Sequence, residues 1–280
     1  MPRSLTLALP VILLAMVLPI PASAETAAAG VIADAASTPP PLVFAPPQTE
    51  APLIAPLVLP RMAPELALST YQQRLARQNL LLTGYSASTV IAADLPDTSQ
   101  RGEFELKRRY IAPNQLKFTP VKFTGDGFVK SNVITRLLQS EVDHVSKGGS
   151  SQTAISEANY KFSYKGLEAV DGQFVHVFQV KPRKKRPGLF KGRIYLDVYA
   201  GSLRRAEGTL VKTPSFFVKK IEFVQDYADV NEFTFPAHVH SIAKTRLIGR
   251  SVVDVVNRDF QLDPSAVAQN ASGPALGGSR

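Results

Sequence analysis

The chain has 280 residues, 22 of them proline, and no cysteine. That excludes a disulfide framework, a thiolate metal site, a thiol nucleophile and a lipidated amino-terminal cysteine. The 32 basic side chains outnumber the 23 acidic ones, for a formal net charge of +9, which points to anionic partners. For an exported protein these are anionic lipid, lipopolysaccharide or wall polymer before nucleic acid.

Residues 1–24 read as an export signal: Arg3 precedes an apolar run from Leu5 to Ile20, and Pro21-Ala22-Ser23-Ala24 supplies an A-x-A cleavage site. The mature protein is therefore expected to start near Glu25 and to be soluble in the periplasm. Residues 25–63 are rich in Ala and Pro without periodicity, and read as a disordered linker. Residues 263–280, mostly Gly, Ala and Ser, read as a flexible tail. The roughly 200 residues between them, 64–262, suffice for one domain with a sizeable core.

Pro64 suits the first turn of a helix, and Leu68, Tyr71, Leu75 and Leu82 then share a stripe that Gly84 ends. Tyr85, Ala87, Thr89, Ile91 and Ala93 follow with the period of a strand. A second strand, Glu103 to Ile111, puts Phe104, Leu106, Arg108 and Tyr110 on one side and Glu103, Glu105, Lys107 and Arg109 on the other. Arg108 is thus a cation in an apolar row. Either the strand is ending and the side chain reaches solvent along its aliphatic stem, or it enters a cavity and meets carbonyl or carboxylate acceptors. Burial statistics favour solvent.

Gln115 to Thr124 is a third strand, with Leu116 and Phe118 inward and a slip of phase at Pro120 that marks a bulge or an edge. After Gly125-Asp126-Gly127, where Asp126 is a candidate cap, the chain shows its best helical pattern, Phe128 to Lys147. Val129, Val133, Leu137 and Val145 hold the spacing, and Ile134, Leu138 and Val142 widen the stripe. Such a stripe is core, or the underside of a lid over an apolar cavity.

Tyr160–Lys165 and Gln173–Lys181 form a hairpin around Val170-Asp171-Gly172. The stretch from Lys181 to Arg193 then holds seven basic residues and no acid; it is a solvated turn or an anionic contact. A meander follows. Ile194, Leu196 and Val198 alternate with polar neighbours, Gly201 turns the chain, and Leu203–Lys212 returns. Thr213-Pro214-Ser215 breaks the run before a strand from Phe216 to Tyr227. Phe233 to Phe260 adds two more strands, with His238 and His240 on one face. Zinc sites can use that spacing, but surface imidazoles without a third ligand are the plainer reading. There is no nucleophile elbow, phosphate loop or dinucleotide fingerprint. Glu141 and Asp143 stand two apart on a helix and do not face each other. No catalytic residue, metal or cofactor is expected.

The strand end Lys107-Arg108-Arg109, then Pro113-Asn114, Leu116 and Phe118, resembles the strand–proline–asparagine corner of the periplasmic lipoprotein carriers of the LolA family. GRIYLDVYAGSLRR from Gly192 resembles the family's late hairpin, and Phe233-Thr234-Phe235-Pro236 its closing strand. The resemblance covers residues 64–262, with one departure: Tyr110, Ile111 and Ala112 separate Arg109 from the proline where the family has no spacer. It implies an α+β, mainly antiparallel fold, an incomplete (half) β-barrel whose concave face is covered by the 64–82 and 128–147 helices. It also implies a carrier that holds acyl chains of a lipid or lipoprotein in an apolar cavity for transport towards the outer membrane. The alternative is a non-catalytic sensor or adaptor of the same fold that binds an envelope protein or a lipid signal. In the carriers an arginine on this strand latches the helical lid through the lid's backbone. Arg108 and Arg109 both match, and alternation selects Arg108. The cavity is then expected to be lined by Phe104, Leu106, Phe118, Phe178 and Phe223 from the sheet, and by Val133, Leu137 and Leu138 from the helix. Lys181, Arg183, Lys184, Lys185, Arg186, Lys191 and Arg193 are the expected contacts to anionic membrane or lipopolysaccharide.

Overall fold

The computed structural model describes residues 60–213, 218–246 and 249–263. The expected leader, the expected linker up to residue 59, the expected strand start at Phe216 and the expected tail from residue 264 lie outside them. Helix α1 (Pro64–Leu81) leads into β1 (Gly84–Leu95), β2 (Gln100–Ile111) and β3 (Gln115–Gly125). A helical segment follows in three pieces: α2 (Gly127–Val129), a π-helical turn (Lys130–Ile134) and α3 (Thr135–Ser146). After the short α4 (Ser150–Thr153) come β4 (Tyr160–Val170), β5 (Gln173–Pro182), β6 (Phe190–Asp197) and β7 (Leu203–Leu210). Then follow β8 (Val218–Val230), β9 (Phe233–Thr245) and β10 (Arg250–Leu262).

All ten strands join one antiparallel sheet in the order β3-β2-β1-β10-β9-β8-β7-β6-β5-β4. Strands β4 to β10 form a meander of nearest neighbours, and β1 pairs with β10, which attaches the first three strands to the last one. β3 and β4 stand at the two ends and do not pair with each other. The sheet is therefore an open barrel, the α+β half-barrel form expected. Alternation sets its inner face. In β1 the side chains of Tyr85, Ala87, Thr89, Ile91, Ala93 and Leu95 are buried, those between them less so. Asp171 and Gly172 both take positive φ, 50° and 77°, which lets a two-residue turn join β4 to β5. The slip of phase at Pro120 is a bulge: Glu105 faces Lys122 while Leu106 faces Pro120, leaving Val121 extra. It sits on an edge strand, where a proline forfeits no ladder bond.

The single helix expected over 128–147 is interrupted by the π turn, which fits an extra residue into one turn. Asp126 precedes it without a side-chain cap; its carboxylate instead accepts the Arg101 N–H at 3.1 Å, tying the helix start to β2. Two cores lie side by side on the inner face. Ile91, Leu95, Phe104, Leu106, Val253 and Val255 pack against Val129, Val133, Ile134 and Leu137 of the α2–α3 segment. Tyr160, Phe178, Phe190, Ile194, Leu203 and Phe223 pack with Tyr71 of α1. Tyr85, Phe233 and Phe235 form a third cluster, in which Phe235 stacks on Phe260 with centroids 4.8 Å apart. Among the described residues no helix is long and apolar enough to cross a membrane.

Candidate ligand cleft and buried ion pair

Helix α1 turns Tyr71, Arg74, Leu75 and Gln78, residues three and four apart and so on one face, towards a cleft of about 190 Å³. Phe190, Leu203, Ala206 and Phe223, from β6 to β8, supply an apolar lining. Tyr227, Gln225 and Thr234 also line it, as do Thr153, Ala154, Ile155 and Gly188. Its polar groups are largely engaged with one another. Arg74 pairs with Asp229 at 3.0 Å, Thr234 Oγ1 donates to the same carboxylate at 2.6 Å, and Gln225 donates to the Tyr227 hydroxyl at 3.0 Å. Gln78 donates to the Thr234 carbonyl at 3.0 Å and accepts its N–H at 2.9 Å, which ties α1 to β9.

Burial pushes the phenols of Tyr71 and Tyr227 well above their ordinary value, and their mutual proximity to Tyr160 adds to it. Burial raises Tyr160 as well, against the opposing pull of the Phe190 N–H and of Arg186. The tyrosines around the cleft, neutral at ordinary pH, are held neutral further into the alkaline range, and the cleft's arginine is charge-compensated. Such a surface suits an apolar body with a neutral polar edge.

The second feature joins β2 to α3. Arg108 is 3% exposed, so it does not reach solvent as burial statistics favoured. Its Nη1 lies 2.7 Å from Glu141 Oε1 and its Nη2 donates to Oε2 at 2.8 Å, a two-point contact. The Phe118 ring lies 5.1 Å from the guanidinium carbon. Burial works against the guanidinium charge, but Glu141 and then Tyr85 outweigh it and hold its pKa above the ordinary value. The tie to the helix is a carboxylate, whereas the resemblance implied lid backbone. Glu141 was the partner that sequence reasoning missed. The signal was present: it stands four residues after Leu137 and four before Val145, an acid in the apolar stripe opposite a cation in the apolar row. Arg109 points to the other face and pairs with Asp263 at 2.7 Å.

The residues expected to line a cavity part company. Phe104, Leu106, Val133 and Leu137 belong to the first core, with Phe118 and Leu138 packed against it; Phe178 belongs to the second. Phe223 alone of the set lines the cleft, which lies under α1 and away from the 128–147 segment. Tyr71 and Leu75 were visible as a helical stripe; that Arg74 and Gln78 flank a cleft depends on where α1 lies on the sheet.

The basic run also divides. Arg183 Nε donates to the carbonyls of Glu157 at 2.7 Å and Tyr160 at 3.2 Å. Arg186 donates to Asn159 Oδ1 at 2.7 Å and to the Gln152 carbonyl at 3.3 Å. Arg193 pairs with Glu207 at 2.7 Å and Glu168 at 3.6 Å. Lys181, Lys184, Lys185 and Lys191 are exposed. On the outer face, His238 and His240 both contact Asp254 Oδ1, at 3.2 and 2.8 Å. Among the described residues no group of three or more His, Cys, Asp or Glu side chains is arranged to hold a metal ion.

No family pattern and no curated protein matches the chain by sequence. It is similar in structure to a Vibrio parahaemolyticus domain described as an outer membrane lipoprotein-sorting protein, at 14% identity and a TM-score of 0.38, over 74% of this chain and 98% of that one. A LolA superfamily protein from Nitrosomonas europaea is similar at 9% identity and a TM-score of 0.32, over 69% and 93%. Pseudomonas aeruginosa MucB, in its complex with MucA, is similar at 12% identity and a TM-score of 0.25, over 72% and 96%.

Proposed function

We propose that the domain is a non-catalytic binding protein of the periplasm that takes an acyl chain of a lipid or lipoprotein into the cleft under α1. The observation that carries this reading is the composition of the cleft: an apolar floor of Phe190, Leu203, Ala206 and Phe223 beside phenols that burial keeps neutral. Each methylene buried there contributes about 0.8 kcal/mol before the cost of ordering the chain. The periplasmic address rests on the leader pattern of residues 1–24.

Displacement of a fluorescent fatty-acyl probe tests the reading. Leu75→Glu places a carboxylate against the apolar floor and should lower probe affinity more than tenfold, because an unpaired charge is costly in such a site. Ala206→Leu should lower it by occupying the space. Thermal melts establish that each variant is folded. If the parent binds no probe, or both folded variants bind it like the parent, the cleft is not the ligand site.

A second reading, a sensor or adaptor that binds an envelope protein, is favoured by the two sheet edges, β3 and β4, that have no strand partner among the described residues. The β4 edge carries exposed Tyr164 and Leu167 and suits addition of an extended peptide strand. Native mass spectrometry of protein taken from its own envelope separates the two by what co-purifies.

A further inference from the structure

Lysines collect at one end of the sheet, where β4, β6 and β8 begin and β5, β7 and β9 finish. Lys161 on β4 stands directly opposite Lys181 on β5, and Lys220 on β8 directly opposite Lys244 on β9. All four are exposed. They alternate with inward residues such as Phe162, Val180 and Ala243, so they project from the opposite, outer face. On β6, Lys191 stands one position beyond the pairing of Gly192 with Val180 and extends the row. Like charges directly opposite each other weaken an antiparallel pair, yet the arrangement occurs twice at this end. Glu222 pairs with Lys220 at 2.7 Å, and its carboxylate also interacts with the Lys244 charge; among the described residues no carboxylate pairs with Lys161, Lys181 or Lys191.

The adjoining loop is built to match. Arg183 and Arg186 fasten it to carbonyls and to Asn159, and Arg193 is compensated by two glutamates. The arginines are committed to structure, whereas Lys184 and Lys185 stay exposed on a loop already held in place. Lysine is a mobile point charge without the planar fork that reads one bound anion, which suits a diffuse anionic surface. At a strand spacing of about 4.8 Å, the row from β4 to β9 crosses roughly 25 Å. That is a broad rim; the hollow beside it on the same face is lined by Glu207 and Glu222, carboxylates that do not suit a nucleic-acid backbone.

We infer that this lysine rim docks the protein on the surface of an anionic phospholipid bilayer. The inference stands apart from the cleft reading, because none of these lysines lines the cleft.

Sedimentation of the mature chain with vesicles tests it. The parent should bind mixed phosphatidylcholine–phosphatidylglycerol vesicles, with an affinity that falls as salt is raised, and should not bind pure phosphatidylcholine. Lys161→Gln, Lys181→Gln and Lys191→Gln together, and Lys184→Gln with Lys185→Gln as a separate loop variant, should each weaken binding, roughly fivefold per lysine at low salt. Acyl-probe affinity should stay at the parent's value in both, which keeps a failure here distinct from a failure of the cleft. The loop variant alters no strand and covers the case in which the triple variant unfolds. The inference is overturned if the parent ignores anionic vesicles, binds neutral ones equally, or keeps its affinity in the folded variants. Tighter binding to soluble polyglutamate than to vesicles would reassign the rim to an acidic protein. Release by inorganic phosphate beyond its ionic-strength effect would reassign it to a free anion.

Discussion

Cutting the link between Arg108 and Glu141 should expose how firmly α3 is held to the sheet. Both side chains are under 5% exposed, and they meet at two points, 2.7 and 2.8 Å apart. Neither charge is solvated, so removing one partner strands the other in the core. Arg108→Met or Glu141→Leu alone should therefore cost about 3–5 kcal/mol. For a domain of this size, roughly 2–4 °C of melting temperature goes with each kcal/mol, so either change should lower the midpoint by on the order of 10 °C. The double variant removes both charges and leaves apolar side chains between Phe118 and the α3 stripe, and should recover most of the loss. Urea unfolding followed by circular dichroism, run on the parent, both single variants and the double variant, yields the coupling. If either single variant loses less than about 1 kcal/mol, or the double loses the sum of the singles, the pair is not the buried clamp described here.

Two pH-dependent outcomes follow from other buried groups. Burial raises the phenols of Tyr71, Tyr160 and Tyr227 above the ordinary 10.0, so the folded state holds those protons more tightly than the unfolded chain. Their contribution is intact below pH 10 and is lost as pH rises beyond it; phenolate absorbance should show the three ionising only with unfolding, and smooth titration of every tyrosine near pH 10 in folded protein would refute this. Burial pushes the Asp197 carboxyl up, but the N–H groups of Ala200 and Tyr199 and the Arg204 guanidinium more than offset it and hold it below the ordinary 3.8. That stabilisation is present above this value and lost as pH falls through the lower folded one. Asp197→Asn should cost roughly 1–3 kcal/mol at neutral pH, and the gap to the parent should narrow in acid; a gap that does not change between neutral and acid conditions counts against the assignment.

Strands were legible because a half-buried strand writes its period into the residues, as Tyr85 to Ala93 do. The Pro120 bulge was legible because proline, with no N–H to give, is confined to edges and bulges of a sheet. The π turn at Lys130–Ile134 was not, since an added residue within a helical turn leaves the apolar stripe wide and unbroken in sequence. The cleft escaped for a different reason. Helices 64–81 and 135–146 are both apolar on one face, and nothing local says which covers a filled core and which leaves space. The fate of the arginines was equally non-local: Arg183 and Arg186 look like part of a cationic run, and only the folded chain brings the carbonyls of Glu157, Tyr160 and Gln152 to them.

Cross-strand repulsion between Lys161 and Lys181 should give ionic strength two opposite effects if the rim docks as inferred. Screening would ease the repulsion within that pair and firm up its end of the sheet, while the same counter-ions would loosen the inferred hold on an anionic surface. A protein docked there meets the converse. The bilayer's own negative charge would then take over the neutralising work of salt at that end of the sheet.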